Sequence, residues 1–143
     1  TTAKVPHSFE YIHDEVGYNY RMPNLNAALG CAQLEKIENF VMAKRELADQ
    51  YSALLKGSEL EFFAEPADCR SNYWLNAVIC QSSDHRKALL ESTNELGIMT
   101  RPVWALMTHL KMYSQCRKGD LANCEWLETR VVNLPSSVLP KYF

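Results

Sequence analysis

The sequence predicts a mixed α/β (α+β) fold in which one long helix and two shorter ones pack on a small, mainly antiparallel sheet. Three observations carry that expectation. Apolar residues recur at three-to-four-residue spacing between Asn24 and Leu55, the period of an amphipathic helix. Tyr73 to Cys80, Ile98 to Trp104 and Val131 to Leu134 are short runs rich in aromatic and β-branched residues, as strands are. Between those runs, capping residues and glycines stand at helix-length intervals.

Thr1 to Pro23 mixes aromatic, charged and imidazole side chains without helical or strand period, and is expected to be a structured loop (domain 1–23) ahead of a small domain (24–143). The helical face that follows is Leu25, Ala28, Leu29, Ala32, Ile37, Phe40, Val41, Leu47, Tyr51, Leu54 and Leu55. Pro23 and Asn24 suit its start and Gly57 its stop, and about 30 residues at ~1.5 Å each make a helix roughly 45–50 Å long. A helix of that length bridges more than its own small core. Gly30 inside it costs about 1 kcal/mol against Ala, which predicts a second backbone packed close there.

A short Leu60-to-Phe63 run is broken by Pro66 and the Asp68-to-Asn72 cluster before the Tyr73-to-Cys80 strand. Asp84 is the expected cap of a helix over His85 to Leu96, with Leu89, Leu90 and Leu96 as its apolar face and Gly97 as a left-handed stop. Ile98 to Trp104 returns as a strand with Pro102 at an end or edge, because proline cannot donate to a central ladder. Asp120 is the expected cap of a third helix reaching Arg130 with Trp126 and Leu127 inward. Val131 to Leu134 closes the sheet before Pro135. Trp74 and Trp126 are expected in the core, since no basic track accompanies them as in a base-stacking surface.

At 143 residues the chain fits one domain that buries roughly two-thirds of its unfolded surface. With 15 basic against 17 acidic residues, a net charge of −2 and no run of either sign, no nucleic-acid groove and no anionic membrane surface is expected. No apolar run approaches the roughly 18 residues of a membrane span, and no charged-apolar-small leader opens the sequence, so the expected location is cytoplasmic. Five cysteines without a Cys-x-x-Cys pair argue against a disulfide framework and read as buried or half-buried thiols. Cys116, Cys124 and His109 match no zinc spacing, so no metal is expected. Thr1 in place of an initiator Met suggests a processed or cut chain.

The run Gly17-Tyr18-Asn19-Tyr20-Arg21-Met22, followed by Asn24-Leu25-Asn26-Ala27-Ala28-Leu29-Gly30 and Ala32-Gln33-Leu34-Glu35, resembles the DegT/DnrJ/EryC1/StrS sugar-nucleotide aminotransferases, which use pyridoxal phosphate. The resemblance covers essentially the whole chain. It implies the small C-terminal domain of a fold-type-I enzyme, preceded by an active-site and dimer loop from the end of the large domain. In that family the loop enters the neighbour's active site in a homodimer, and Asn19 would contact the neighbour's cofactor phosphate. The chemistry suits, since an amide NH2 donates to a phosphate oxygen and Gly17 permits a close backbone approach. Tyr20 and Arg21 would face the nucleotide sugar, Arg21 as a planar fork for anionic groups. The alternatives are a turn role for Asn19 and a surface salt bridge for Arg21.

A second segment, Gly97-Ile98-Met99-Thr100-Arg101-Pro102-Val103-Trp104, is similar to the family's substrate-facing Arg-Pro-x-aromatic strand. Arg101 would meet a carboxylate or phosphate there, or else cap a helix or pair with a partner domain. Trp104 would line the substrate. Where Pro-Leu-His commonly follows, alignment on Trp104 and Tyr113 puts Thr108 at the histidine position and His109 one residue beyond. In an extended segment that shift turns the imidazole to the other side. Together with Asn133-Leu134-Pro135-Ser136-Ser137, these residues look nearest to the family's legionaminic-acid branch.

The resemblance places the Schiff-base lysine upstream of Thr1. Of eight lysines only Lys4 precedes the signature, and it reads as a surface lysine. No catalytic residue is therefore expected in the chain, which alone should be inactive. The implied parent moves an amino group from an amino acid, glutamate, to a keto group of a nucleotide-activated sugar. His7, His13 and His85 read as ordinary. The rival reading is a self-contained α/β module without cofactor that binds a protein through the exposed face of its long helix.

Overall fold

The computed structural model describes residues 4–138; residues 1–3 and 139–143, and the Lys4 side chain with the surface role expected of it, lie outside that description. The N-terminal segment is not without strands. β1 (Lys4–Val5) and β2 (Ile12–His13) pair antiparallel, Val5 opposite Ile12. His7 Nδ1 closes the connection by accepting the N–H groups of Glu10 at 3.0 Å and Phe9 at 3.4 Å. Phe9 then packs on the main core.

The expected long helix is two helices, α1 (Asn24–Leu34) and α2 (Ile37–Leu55). At the break the Lys36 N–H donates to Gln33 O at 3.0 Å, an i→i−3 bond, and Lys36 leaves the helix at φ −112°, ψ 7°. No proline or glycine sits there; the break falls where packing begins. α1 has no buried residue, whereas α2 buries Ala43 and Ala48, whose small side chains let the helix lie close. Leu54, expected on the buried face, is exposed, and nothing in the described residues lies within 4 Å of a Cβ built on Gly30. The close backbone expected at Gly30 is thus not part of this chain's own packing. Gly57, at φ +81°, ends the pair as expected.

Four strands form the sheet: β3 (Glu61–Phe62), β4 (Asn76–Ile79), β5 (Arg101–Pro102) and β6 (Val131–Leu134), in the order β3-β4-β6-β5 with every pair antiparallel. Val78 stands opposite Val132 at its centre. β4 and β5 are shorter than their β-rich sequences predict. Tyr73 adopts φ +43° and turns the chain before β4, while Pro102, which has no N–H, ends β5 at the sheet edge.

Between β4 and β5 runs α3 (Ser83–Glu95). Its cap is Ser82, whose hydroxyl accepts the His85 N–H at 3.1 Å; Asp84 lies two residues later in the first turn, where its charge complements the helix dipole. The helix ends on Gly97 at φ +77°, with Ile98 N–H to Thr93 O at 2.8 Å and Gly97 N–H to Asn94 O at 3.0 Å, the paired bonds of a Schellman stop. Leu96 is solvent-exposed rather than part of the apolar face. α4 (Ala122–Glu128) is shorter than expected, with the Asp120 carboxylate accepting the Ala122 N–H at 3.0 Å.

The core is Val78, Cys80, Leu90 and Val132, flanked by Phe9, Leu55, Leu60, Leu89 and Leu134. Trp74, 64% exposed, and Trp126, 47% exposed, are not in it; the Arg130 guanidinium lies over Trp126 at 4.8 Å instead. Only Cys80 is buried, where desolvation pushes its thiol pKa up, while Cys31, Cys69, Cys116 and Cys124 are exposed thiols. Buried Asn76 donates its backbone N–H to Ser136 Oγ at 2.8 Å, and Ser136 Oγ donates to Leu134 O at 2.8 Å, so Ser136 of the Asn133-to-Ser137 run serves the sheet.

Candidate functional site

The loop from Asp14 to Pro23 leaves β2 and enters α1 fully exposed. Tyr20 is 90% exposed and its ring stacks on Tyr18 with centroids 6.1 Å apart. Neither Asn19 nor Arg21 makes a hydrogen bond or ion pair among the described residues, so neither is held as a turn residue or in a surface salt bridge. Asn19 lines a cavity of about 290 Å³ together with Met107, Leu110 and Tyr113. The fold has therefore brought together two segments some 90 residues apart in sequence, and both are the segments singled out above.

The segment after β5 divides its candidates. Arg101 Nη1 donates to Asn94 Oδ1 and to Thr100 O, both at 2.8 Å, which ties the guanidinium to the C-terminal end of α3, the helix-capping alternative. Asn94 in turn donates to Thr100 Oγ1 at 3.0 Å, and Thr100 is buried. Trp104 stacks on Tyr11, with centroids at 5.3 Å, and on Trp74, at 6.1 Å, a run of three near-parallel rings from three parts of the chain. Trp74 follows directly on the turn at Tyr73, whose hydroxyl accepts the Glu65 N–H at 3.0 Å.

Thr108 and His109 are not in an extended segment. Met107–His109 is a 3-10 turn, in which one residue rotates a side chain by about 120° rather than to the opposite face. Thr108 Oγ1 is buried without a hydrogen-bond partner among the described residues. His109 is half-exposed, with Nδ1 3.0 Å from Glu128 Oε2, while Glu128 Oε1 accepts the Leu106 N–H at 2.8 Å. With Tyr11, His13, Arg86 and Lys111, His109 lines a second cavity of about 360 Å³. Of the two candidates, His109 faces open space. Glu128, Arg86 and Lys111 were not singled out by sequence. They sit outside any motif, and only chain folding brings α3, α4 and the 106–111 segment to one cavity.

The exposed Asn19 amide, without a hydrogen-bond partner among the described residues, has the chemistry to donate to a phosphate oxygen. Lys44, by contrast, is engaged: its Nζ donates to Trp74 O at 3.0 Å and to Ser136 O, and burial lowers its pKa. Among the described residues no cluster of three or more His, Cys, Asp or Glu could hold a metal ion, and no helix is long and apolar enough to cross a membrane.

A helical pair and small antiparallel sheet presenting a Gly-x-Asn-x-Arg loop define a class, and the comparison with known families agrees. The chain belongs to the DegT/DnrJ/EryC1/StrS aminotransferase family, whose model matches residues 3–139. It is 38% identical over 128 residues to the GDP-perosamine synthase of Escherichia coli O157:H7, covering 89% of this chain and 34% of that protein. Its fold is similar to Helicobacter pylori PseC, an aminotransferase involved in the biosynthesis of pseudoaminic acid (TM-score 0.73, 20% identity, 98% of this chain and 40% of that one). It is also similar to the Escherichia coli GDP-4-keto-6-deoxy-D-mannose-3-dehydratase solved with bound hydrated PLP (TM-score 0.71, 22% identity, 94% of this chain and 36% of that one). The chain thus spans about a third of the length of the curated relatives it matches.

Proposed function

We propose that this chain is the C-terminal part of a pyridoxal-phosphate-dependent aminotransferase that moves an amino group from an amino acid, glutamate, to a keto group of a nucleotide-activated sugar. The product would serve cell-surface polysaccharide or amino-sugar biosynthesis, and the enzyme would be a cytoplasmic homodimer. The observation that carries the reading is the loop itself: Asn19 and Arg21 stand exposed and make no hydrogen bond or ion pair among the described residues. The similarity to a GDP-perosamine synthase and to an amino-sugar aminotransferase fold supports it.

Bound pyridoxal phosphate would supply the electron sink for moving nitrogen between donor and acceptor. The chain's own residues bind and orient. Asn19 donates an amide N–H to the phosphate in the neighbouring subunit, Arg21 and Tyr20 meet the nucleotide sugar, and Trp104 offers it a ring face. Arg101, Thr108 and His109 are the further candidates for contact with it. The chain has no catalytic lysine of its own and is inactive alone.

Asn19→Ala in the complete enzyme removes one donor to a charged phosphate and should weaken cofactor binding by about 1.5–3 kcal/mol, roughly ten- to hundredfold. Titration of the apoenzyme with pyridoxal phosphate measures it. Mixing Asn19→Ala subunits with subunits that lack the Schiff-base lysine should restore part of the activity, because one site of each heterodimer is then intact. Unchanged cofactor affinity, or no recovery although heterodimers form, removes this loop from the neighbour's site.

A further inference from the structure

We propose that Glu128 is a positioning residue for substrate binding, holding the His109 imidazole so that its Nε2 meets the diphosphate of the nucleotide sugar; this rests on the reading above. Glu128 is the last residue of α4, and its side chain is only 17% exposed. Its Oε1 accepts the Leu106 N–H at 2.8 Å, and His109 Nδ1 lies within reach of both oxygens, 3.3 Å from Oε1 and 3.0 Å from Oε2. One carboxylate therefore fixes both the backbone entering the 107–109 turn and the ring at its end. With Nδ1–H directed to Glu128, the other nitrogen is left for a ligand.

The surroundings select the ligand. The cavity that His109 lines is also lined by Glu10, Tyr11 and His13 of the N-terminal hairpin, by Arg86 of α3 and by Lys111. Arg86 Nε is a buried donor with no hydrogen-bond partner among the described residues. A buried guanidinium N–H without an acceptor suits an oxyanion, and a guanidinium fork takes phosphate oxygens two at a time. Of the two acidic residues in the lining, Glu128 already accepts from two donors. A diphosphate supplies the acceptors that Arg86, Lys111 and His109 lack.

Glu128→Gln isolates the role. In the variant the amide oxygen can keep the Leu106 bond while the NH2 takes the place of Oε2, 3.0 Å from His109 Nδ1, where it donates instead of accepting and so disfavours the Nδ1–H form, with volume preserved. In the complete enzyme labelled with 15N at histidine, wild type should show His109 protonated at Nδ1, and Glu128→Gln should lose that signature. KM for the nucleotide sugar should rise roughly tenfold with kcat and the amino-donor KM within about threefold, the pattern of lost ground-state binding. His109→Gln, which leaves the Glu128–Leu106 bond in place, should give the same split, and the double variant should be no worse than either single one. An unchanged His109 signature in Glu128→Gln, an unchanged sugar KM in His109→Gln, or additive losses in the double variant would overturn the proposal. A wild-type enzyme without transaminase activity defeats the proposed function instead, while the 15N signature still decides whether Glu128 holds the ring.

Discussion

Glu65 shows how a single side chain organises a stretch that its sequence marks only as broken. The Arg45 guanidinium grips its carboxylate with two bonds, Nη2 to Oε1 at 2.6 Å and Nη1 to Oε2 at 2.9 Å, and the Ser71 N–H also donates to Oε2. These contacts, the Arg45 bond first and the Ser71 N–H next, lower its pKa from 4.5 to about 2. A carboxylate whose folded pKa is depressed stabilises the fold above its unfolded value, and that contribution disappears as pH falls toward the folded one. The stability gap between wild type and Glu65→Gln should thus be full at about pH 6 and nearly closed at about pH 2.5. Urea unfolding at both pH values checks this; a gap that stays constant with pH would assign Glu65 no such role. At this same scale the sequence singled out Asn19, Arg21, Arg101 and His109 by residue type and neighbourhood. It did not reveal that Arg101 is tied to Asn94 or that His109 is paired with Glu128, because those partners lie 7 and 19 residues away and meet only through helix ends.

Among the elements, α1 is the one whose sequence and surroundings disagree within this chain. Met22, Leu25, Leu29 and Leu34 are all more than half exposed, and Gly30 sits in the helix with open space where its Cβ would be. In this chain Gly30→Ala should therefore raise helix content and stabilise α1 by up to about 1 kcal/mol, the intrinsic difference between the two residues. Far-ultraviolet circular dichroism through a thermal melt measures it, and a lower helix signal would mean that something already occupies that space. The periodicity from Asn24 to Leu55 was legible because amphipathic spacing is local. The break at Lys36 was not, since both sides keep the same period and differ only in what lies beneath them. The caps tell the same story on a smaller scale: Gly57 and Gly97 announce their left-handed stops, whereas Ser82 and Asp84 are both good caps and the choice between them follows from where β4 ends.

For the whole molecule, the accessible surface is 10754 Å², against about 7,500 Å² for a compact monomer of this mass. The excess includes large apolar side chains on α1, Trp74, Trp104 and Met107. Apolar surface of that extent drives association. The chain should self-associate at high concentration, and replacing Leu25 and Leu29 together by Glu should shift it toward monomer; a strict monomer in sedimentation at every concentration, without apolar-dye binding, would count against this. The sequence alone determined the fold class, the antiparallel sheet with its proline-ended edge, the helix stops and the family, because those depend on residue order over a few to some tens of positions. Tertiary structure alone decided that the helix is divided, that Trp74 and Trp126 stand outside the core, and that His109 rather than Thr108 faces a cavity beside Arg86 and Lys111. Each of these is set by which distant surfaces meet, and a packing contact between residues far apart leaves no period in the sequence that could announce it.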